Sequence, residues 1–292
     1  MRPDTRPDCD HGARRCGSSQ RGFTLVELIV VMLLLGIIGS IVGVFIANPV
    51  QSDFQTINRA ALTDAADLAV RRLARELQGA VPNSVRVASS GGASFIEYVP
   101  VVDFGRYRAA ASNGNDPTGI DPLDFSNPND GSFQVLGPPV TAPAGAKLTI
   151  MNLGYNPMNL YGGSNVRTVT SIGTGLQSLT FTAGTAWPAA SPTHRFYLFT
   201  TAVTYVCVPN AAGGGTLTRY YNYSPQASQP VATNAAPLSS ASQSLLLDDV
   251  SACSFTPGSA QVDLNALQVS LQLTRNGESV TLYSQLVTPN GP

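Results

Sequence analysis

The chain has 292 residues, a formal net charge of −1 and a charged fraction of 12%, which is about half of what soluble domains usually carry. This balance excludes a basic field of the size that nucleic-acid binding needs, so no nucleic-acid partner is expected. The length allows one membrane anchor and a folded region of about 200 residues, enough to bury a core.

The first element along the chain is an apolar run with one acid at its start. Residues 1–22 contain five arginines, and Glu27 directly precedes a run from Leu28 to Ala47. A carboxylate in a bilayer costs about 3 kcal/mol, so it indicates a function and requires a partner. The plainer alternative is an ordinary anchor with a stray acid near its end. The arginines keep the first residues in the cytoplasm, which places the residues after the run across the membrane.

The segment Gly22-Phe23-Thr24-Leu25-Val26-Glu27 resembles the class III signal of type IV prepilins and type II secretion pseudopilins. The resemblance implies that prepilin peptidase cleaves between Gly22 and Phe23 and that the new amino group is methylated, giving N-methylphenylalanine. It also implies that Glu27 serves subunit assembly by neutralising the N-terminal ammonium of a neighbouring subunit. Two opposite charges inside lipid are tolerable as a pair, which agrees with this role.

Further stretches are similar to one branch of that family, the MshO-type minor pilins of the mannose-sensitive haemagglutinin pilus system. These stretches are residues 67–77, 81–86, 104–108, 245–255 and 277–283. The branch implies a minor pilin that initiates pilus assembly or forms the tip, without enzymatic activity or a cofactor. The implied partners are prepilin peptidase, other major and minor pilins, the inner-membrane assembly platform and membrane lipid.

Two other functions remain open from the sequence. A minor pseudopilin of a type II secretion system carries the same kind of signal. A membrane-tethered periplasmic binding domain or hydrolase belongs to a different class, and it would retain residues 1–22.

We expect three parts: a cleaved cytoplasmic leader (1–22), an N-terminal helix (23–83, transmembrane at about 25–47) and a periplasmic β-rich domain (84–292). The protein would be a single-pass inner-membrane protein that is assembled into a surface pilus. The expected fold class is α+β, with a long bent N-terminal helix packed on an antiparallel β-sheet, as in pilins.

The helix is predicted from Phe23 to about Val81, with a kink or interruption at Asn48-Pro49. Gly36, Gly39 and Gly43 have the spacing that lets membrane helices approach closely. Beyond the proline, apolar residues recur every three or four positions and predict a buried stripe. They are Leu62, Ala65, Ala66, Ala69, Leu73, Leu77 and Ala80.

Two charged pairs, Asp67 with Arg71 and Arg72 with Glu76, are predicted on the exposed side of this helix because their members lie one turn apart.

The remainder of the chain is predicted to be β-rich, because β-branched and aromatic residues cluster between loops rich in Gly, Pro and Asn. Predicted strands are 94–102, 133–136, 147–151, 176–182, 195–208, 216–223 and 251–255. The alternating residues of 267–273 and 280–283 flank Asn276-Gly277, the strongest short-range hairpin signal.

The cysteines fit an oxidising compartment outside the cytoplasm. Cys9 and Cys16 lie in the leader, whereas Cys207 and Cys253 remain and are predicted to form a disulfide. A metal site is the alternative, but two thiols without nearby histidines are poor zinc ligands. No metal is therefore expected there.

Three other groups of residues are candidates for chemistry. His194 is expected to be structural, since no catalytic motif accompanies it. Asp116, Asp121, Asp124 and Asp130 crowd one loop without EF-hand spacing, so a solvated loop is favoured over a calcium site. Tyr220, Tyr221 and Tyr223 would contact a sugar or another subunit if exposed, but neighbours in a strand face opposite ways, so at least one is expected in the core.

Overall fold

A computed structural model describes residues 22–110, 120–173, 177–258, 266–289 and 291, with the backbone alone at 44–52. The leader residues 1–21 and Asp116 lie outside the described residues. The chain divides into two compact units, 1–54 and 55–292.

Helix α1 (Leu25–Gln78) is assigned without a break through Pro49, so the predicted interruption is wrong and a bend there stays a prediction. In the first unit the helix is apolar: Leu25–Gly43 is long and apolar enough to cross a membrane, with a mean hydropathy of 2.8. At 1.5 Å per residue this stretch spans about 28 Å, close to the thickness of the hydrocarbon layer.

The second unit contains a seven-stranded antiparallel sheet in the order β1-β2-β9-β10-β11-β12-β13. Its strands are β1 (Arg86–Ser90), β2 (Ala93–Tyr98), β9 (Ala202–Val208), β10 (Gly215–Tyr223), β11 (Ser242–Pro257), β12 (Ala266–Arg275) and β13 (Glu278–Val287). Consecutive strands are neighbours throughout, except between β2 and β9, where residues 99–201 leave the sheet and return. The hairpin at Asn276-Gly277 is confirmed, and both turn residues have positive φ angles, as a type I′ turn requires.

The residues that leave the sheet form a second β structure that the sequence did not predict. Six short antiparallel strands close into a barrel in the order β3-β4-β7-β6-β5-β8. They are β3 (Asp103–Tyr107), β4 (Ser132–Leu136), β5 (Lys147–Thr149), β6 (Val166–Ile172), β7 (Ser178–Phe181) and β8 (Arg195–Phe199). The prediction of one sheet is therefore incomplete, because the β-rich part of the chain is a sheet with an inserted barrel.

The three apolar cores lie inside the barrel and on the two faces of the sheet. Aromatic rings fill the barrel, where Phe133 packs edge-on against Phe196 and Phe181 against Trp187. The stripe of α1 covers one face of the sheet: Leu62, Leu73 and Leu77 are almost fully buried, as predicted. The other face packs against residues from the barrel and from the loop before β6.

Candidate functional site: the start of the N-terminal helix

Gly22, Phe23 and Thr24 precede α1 in non-helical backbone, and Thr24 caps the helix. The backbone N–H of Glu27 donates to Oγ1 of Thr24 at 3.3 Å, and the N–H of Leu28 donates to the Thr24 carbonyl at 3.1 Å. Helices begin with donors that have no partner in the helix, and a threonine side chain satisfies one of them. The local sequence therefore starts the helix at Leu25, the third residue after the predicted cleavage position.

Glu27 is the third helical residue and projects from an otherwise apolar surface. Phe23 is 78% exposed and Leu25 74% exposed, and Glu27 itself is exposed between them and the following apolar residues. Among the described residues its carboxylate has no ion-pair or hydrogen-bond partner. A carboxylate in the first turn is favoured by the helix dipole, so this acid suits the end of a helix even before assembly.

Thr24 is the residue that the sequence reasoning missed. Thr24-Leu25-Val26-Glu27 has the spacing of a capping box, in which a threonine is followed three residues later by a glutamate. That pattern is local and was readable from the sequence. Of the two bonds of a capping box, the structure shows the one from the Glu27 N–H to the Thr24 side chain.

The glycines of this segment are not required by the chain's own packing. A Cβ atom built on Gly22 would meet nothing within 4 Å, and the same is true of Gly36, Gly39 and Gly43. The described residues thus give no packing reason for glycine at these four positions.

The charged groups of α1 nearer the sheet differ from the prediction in one respect. Arg71 and Asp67 form the expected exposed pair at 2.6 Å. Arg72 also pairs with Glu76 at 3.1 Å, but Glu76 turns toward the sheet, so its placement on the exposed side is wrong. The reason is a stronger set of donors: the Tyr98 hydroxyl and Nε of Arg219 both donate to Oε2 of Glu76.

Burial alone would raise the pKa of the Glu76 carboxyl. The hydrogen bonds from Tyr98, Arg219 and Arg72 outweigh that effect and hold the pKa below its ordinary value. Glu76 therefore fixes the helix on the sheet as an ionised group.

Cys207 of β9 and Cys253 of β11 form a disulfide, with their Cα atoms 6.6 Å apart. The two strands approach each other beside the start of β10, where Gly215 lies between Val250 and Val208. A Cβ on Gly215 would lie 2.2 Å from the Val250 carbonyl oxygen, so only glycine fits there.

The three tyrosines are divided between the faces of the sheet. Tyr221 packs on the helix-covered face and Tyr220 on the other, as the alternation predicts. Tyr223 is buried, and its hydroxyl lies 2.5 Å from Oγ1 of Thr204 and donates to Oε1 of Glu97 at 3.0 Å. They do not form one exposed aromatic cluster.

His194 and the aspartates take structural positions where the structure describes them. His194 packs against the ring of Tyr107 at 5.5 Å between centroids. Asp124 accepts hydrogen bonds from the backbone and hydroxyl of Ser126, and Asp130 accepts one from the backbone of Asp124. Within the described ranges, no three His, Cys, Asp or Glu side chains are grouped as a metal site.

Comparison with known proteins identifies the N-terminal segment. Residues 17–43 match the family model of the prokaryotic N-terminal methylation motif, which covers less than a tenth of the chain. No curated protein and no solved structure matches the chain. The chain thus carries a prepilin-type methylation signal on an apolar helix suited to membrane anchoring, and this signal indicates the class of type IV pilins and pseudopilins, which are structural proteins.

Proposed function

We propose that this protein is a minor type IV pilin of the MshO type that takes part in initiating pilus assembly or in forming the pilus tip. Prepilin peptidase would remove residues 1–22 and Phe23 would be methylated. The protein would then wait in the inner membrane, with residues 84–292 in the periplasm, until the assembly platform adds it to a filament of other pilins.

The observation that carries this proposal is the position of Glu27. It is the fifth residue after the proposed cleavage position, in an apolar helix, and no described group of its own chain neutralises it. A charge inside the bilayer needs a partner, and the ammonium group of a neighbouring subunit's Phe23 would supply one.

The glycines support the same proposal. Gly22 has free space around it, so its identity fits recognition by a peptidase better than a need of the fold. Gly36, Gly39 and Gly43 leave the helix surface open to close contact with other membrane helices.

The inserted barrel supports the proposal that this protein is a low-abundance subunit. Residues 103–199 enlarge the folded unit beyond what the helix and sheet need. Such a volume is easier to accommodate at a filament tip than in every repeat of its wall.

A minor pseudopilin of a type II secretion system is the second candidate, because the methylation motif is common to both classes. Co-purification with sheared pili favours the pilin, whereas loss of protein secretion on gene deletion, with pili intact, favours the pseudopilin. A membrane-tethered periplasmic domain is the third, and it predicts that the natural product begins at Met1.

The processing test is mass spectrometry of the N-terminus. We expect a natural product that begins with N-methylated Phe23, and a Gly22→Leu variant that accumulates as the precursor. Gly36→Leu, which alters a glycine of the same helix far from the junction, should be cleaved normally. A mature product of normal length from Gly22→Leu would contradict the proposal.

The assembly test compares Glu27→Val with Thr24→Val. Each replaces one polar side chain at the start of the helix by valine, but only the first removes a charge. Glu27→Val should be cleaved and yet be lost from sheared filaments, whereas Thr24→Val should be incorporated. Equal incorporation of both variants would contradict an assembly role for Glu27.

A further inference from the structure

Strand β13 forms an open edge of the seven-stranded sheet. It pairs with β12 over ten residues, and no other described strand lies on its far side. Its side chains alternate between half-buried and exposed along almost the whole length, with Tyr283 at 78% exposure in the middle. The edge is therefore long, regular and accessible.

The turn at Asn276-Gly277 determines which backbone groups face outward. In a two-residue hairpin the flanking residues, here Arg275 and Glu278, form a hydrogen-bonded pair, and bonded and non-bonded pairs then alternate. Every second residue of β13 consequently directs its N–H and C=O away from β12. These residues are Ser279, Thr281, Tyr283, Gln285 and Val287.

Within the part of the chain that the structure describes, this edge lacks the features that normally prevent strand addition. Natural edges carry lysine, proline or a bulge, or are covered by another segment. Strand β13 contains no Lys, Arg or Pro, and its ten-residue register with β12 has no shift, unlike the pairings of β10 with β9 and β11. Its one charged residue, Glu278, is at the end of the strand and pairs with Arg59 at 2.8 Å.

The opposite edge of the sheet is a poor partner. Strand β1 has five residues, and Nε2 of Gln229 donates to the Arg86 carbonyl at 3.4 Å. The guanidinium of Arg86 is bound to the carbonyls of Gln226 and Ala227. A second molecule would thus find one full-length open edge on this sheet, and that edge is β13.

We propose that β13 pairs with β13 of a second copy of this chain, antiparallel, about a two-fold axis at Tyr283. This centre is the register in which all five outward-bonding residues find partners, with Ser279 opposite Val287 and Thr281 opposite Gln285. The two Glu278 side chains lie at opposite ends, so no like charges meet. The two Tyr283 rings become a cross-strand aromatic pair, a favourable contact on a sheet.

Such pairing is isologous and closes after two copies. It does not itself extend a filament, and it requires neither leader cleavage nor methylation. Its success or failure is therefore independent of the proposed pilin function.

The test is disulfide cross-linking of the full-length protein in membranes, where the native cysteines after Phe23 are already joined. Tyr283→Cys should give a disulfide-linked homodimer as the main species, since directly opposite residues lie about 5.5 Å apart between Cα atoms. Val287→Cys should not cross-link to itself, because the two copies of residue 287 would be about 27 Å apart along the strands. Co-expressed Thr281→Cys and Gln285→Cys chains should cross-link to each other.

Tyr155→Cys is the matched control for exposure, because Tyr155 is 58% exposed and lies outside the sheet. It should remain monomeric under the same oxidation. A homodimer from Tyr155→Cys as strong as that from Tyr283→Cys would show collision rather than pairing and would overturn the inference.

A proline variant tests the backbone contacts. Thr281→Pro removes an outward N–H that β12 does not use, a position where an edge strand tolerates proline. Added to Tyr283→Cys, it should abolish the cross-link while the fluorescence of Trp187 and the Cys207–Cys253 disulfide stay unchanged. Retention of the cross-link, absence of any homodimer from Tyr283→Cys, or linkage of that residue to a different protein would each overturn the proposal.

Discussion

Each face of the seven-stranded sheet contacts one glutamate, half-buried Glu76 on one face and fully buried Glu97 on the other, and the pKa values of the two are shifted in opposite directions. Glu76 comes from the covering helix and receives three donors from Tyr98, Arg219 and Arg72. Glu97 belongs to the sheet itself, on the other face, where Arg86 donates to it at 2.5 Å and Tyr223 at 3.0 Å.

Burial raises the pKa of the Glu97 carboxyl, and the hydrogen bonds from Arg86 and Tyr223 offset only part of that effect. The pKa of Glu76 is instead held below its ordinary value. The difference follows from access to water and the number of donors, because the Glu97 side chain is fully buried whereas that of Glu76 is 21% exposed. The helix-covered face therefore favours the ionised form of Glu76, whereas burial on the other face disfavours the ionised form of Glu97.

The largest expected effect is on the helix-covered face. Glu76→Ala leaves two guanidinium groups and a buried hydroxyl without their acceptor, so the free energy of unfolding should fall by about 3 kcal/mol. Chemical denaturation of the full-length protein in detergent, followed by circular dichroism, measures this loss.

Asp67→Ala provides the control on the same helix. It removes an ion pair whose side chains are 74% and 46% exposed, and such pairs contribute about 0.5 kcal/mol or less. Equal losses for the two variants would mean that Glu76 is an ordinary surface charge.

The helix-covered face is also the part that the sequence predicted best. The stripe at Leu62, Leu73 and Leu77 repeats with the period of a helix, so its burial could be inferred from neighbouring residues alone. The hairpin at Asn276-Gly277 was equally local. The acceptor role of Glu76 could not be inferred from neighbouring residues, because its donor Arg219 lies 143 residues further along the chain.

The barrel was missed for the same physical reason. It closes through pairings such as β3 with β8 and β4 with β7, between strands of four or five residues that are far apart in sequence. Short strands carry few alternating positions, and closure leaves no local pattern. At the N-terminus the situation is reversed: Gly22 to Glu27 is a contiguous motif, and even the cap at Thr24 could have been read from it.

Two tyrosine hydroxyls allow the faces to be compared by one kind of substitution. Tyr223→Phe removes a hydroxyl that bonds both Glu97 and Thr204, and should cost about 1–2 kcal/mol of unfolding free energy. Tyr205→Phe removes a buried hydroxyl on the helix-covered face that lies near Glu76 but makes no well-aligned hydrogen bond to another described residue, and should change the unfolding free energy by less than about 0.5 kcal/mol. Denaturation of both variants at neutral pH measures the two losses of unfolding free energy. A larger loss for Tyr205→Phe than for Tyr223→Phe would contradict the prediction.

The smallest effect is the dependence of stability on pH. Because the pKa of Glu97 is higher in the folded protein, its favourable contribution is complete below the ordinary value of 4.5 and is lost as pH rises through the folded pKa. The pKa of Glu76 is lower in the folded protein, so its contribution is present above 4.5 and is lost as pH falls through the folded pKa. In a plot of unfolding free energy against pH, Glu97 should thus affect the side above pH 4.5 and Glu76 the side below it.

Glu97→Gln and Glu76→Gln separate the limbs, since each retains an amide of similar size. Glu97→Gln should flatten the decline of the unfolding free energy above pH 4.5, and Glu76→Gln should flatten the decline below it. Unfolding measured from pH 3 to about pH 8 covers both limbs. If both substitutions changed the same limb, the two glutamates would share one environment and the contrast between the faces would be false.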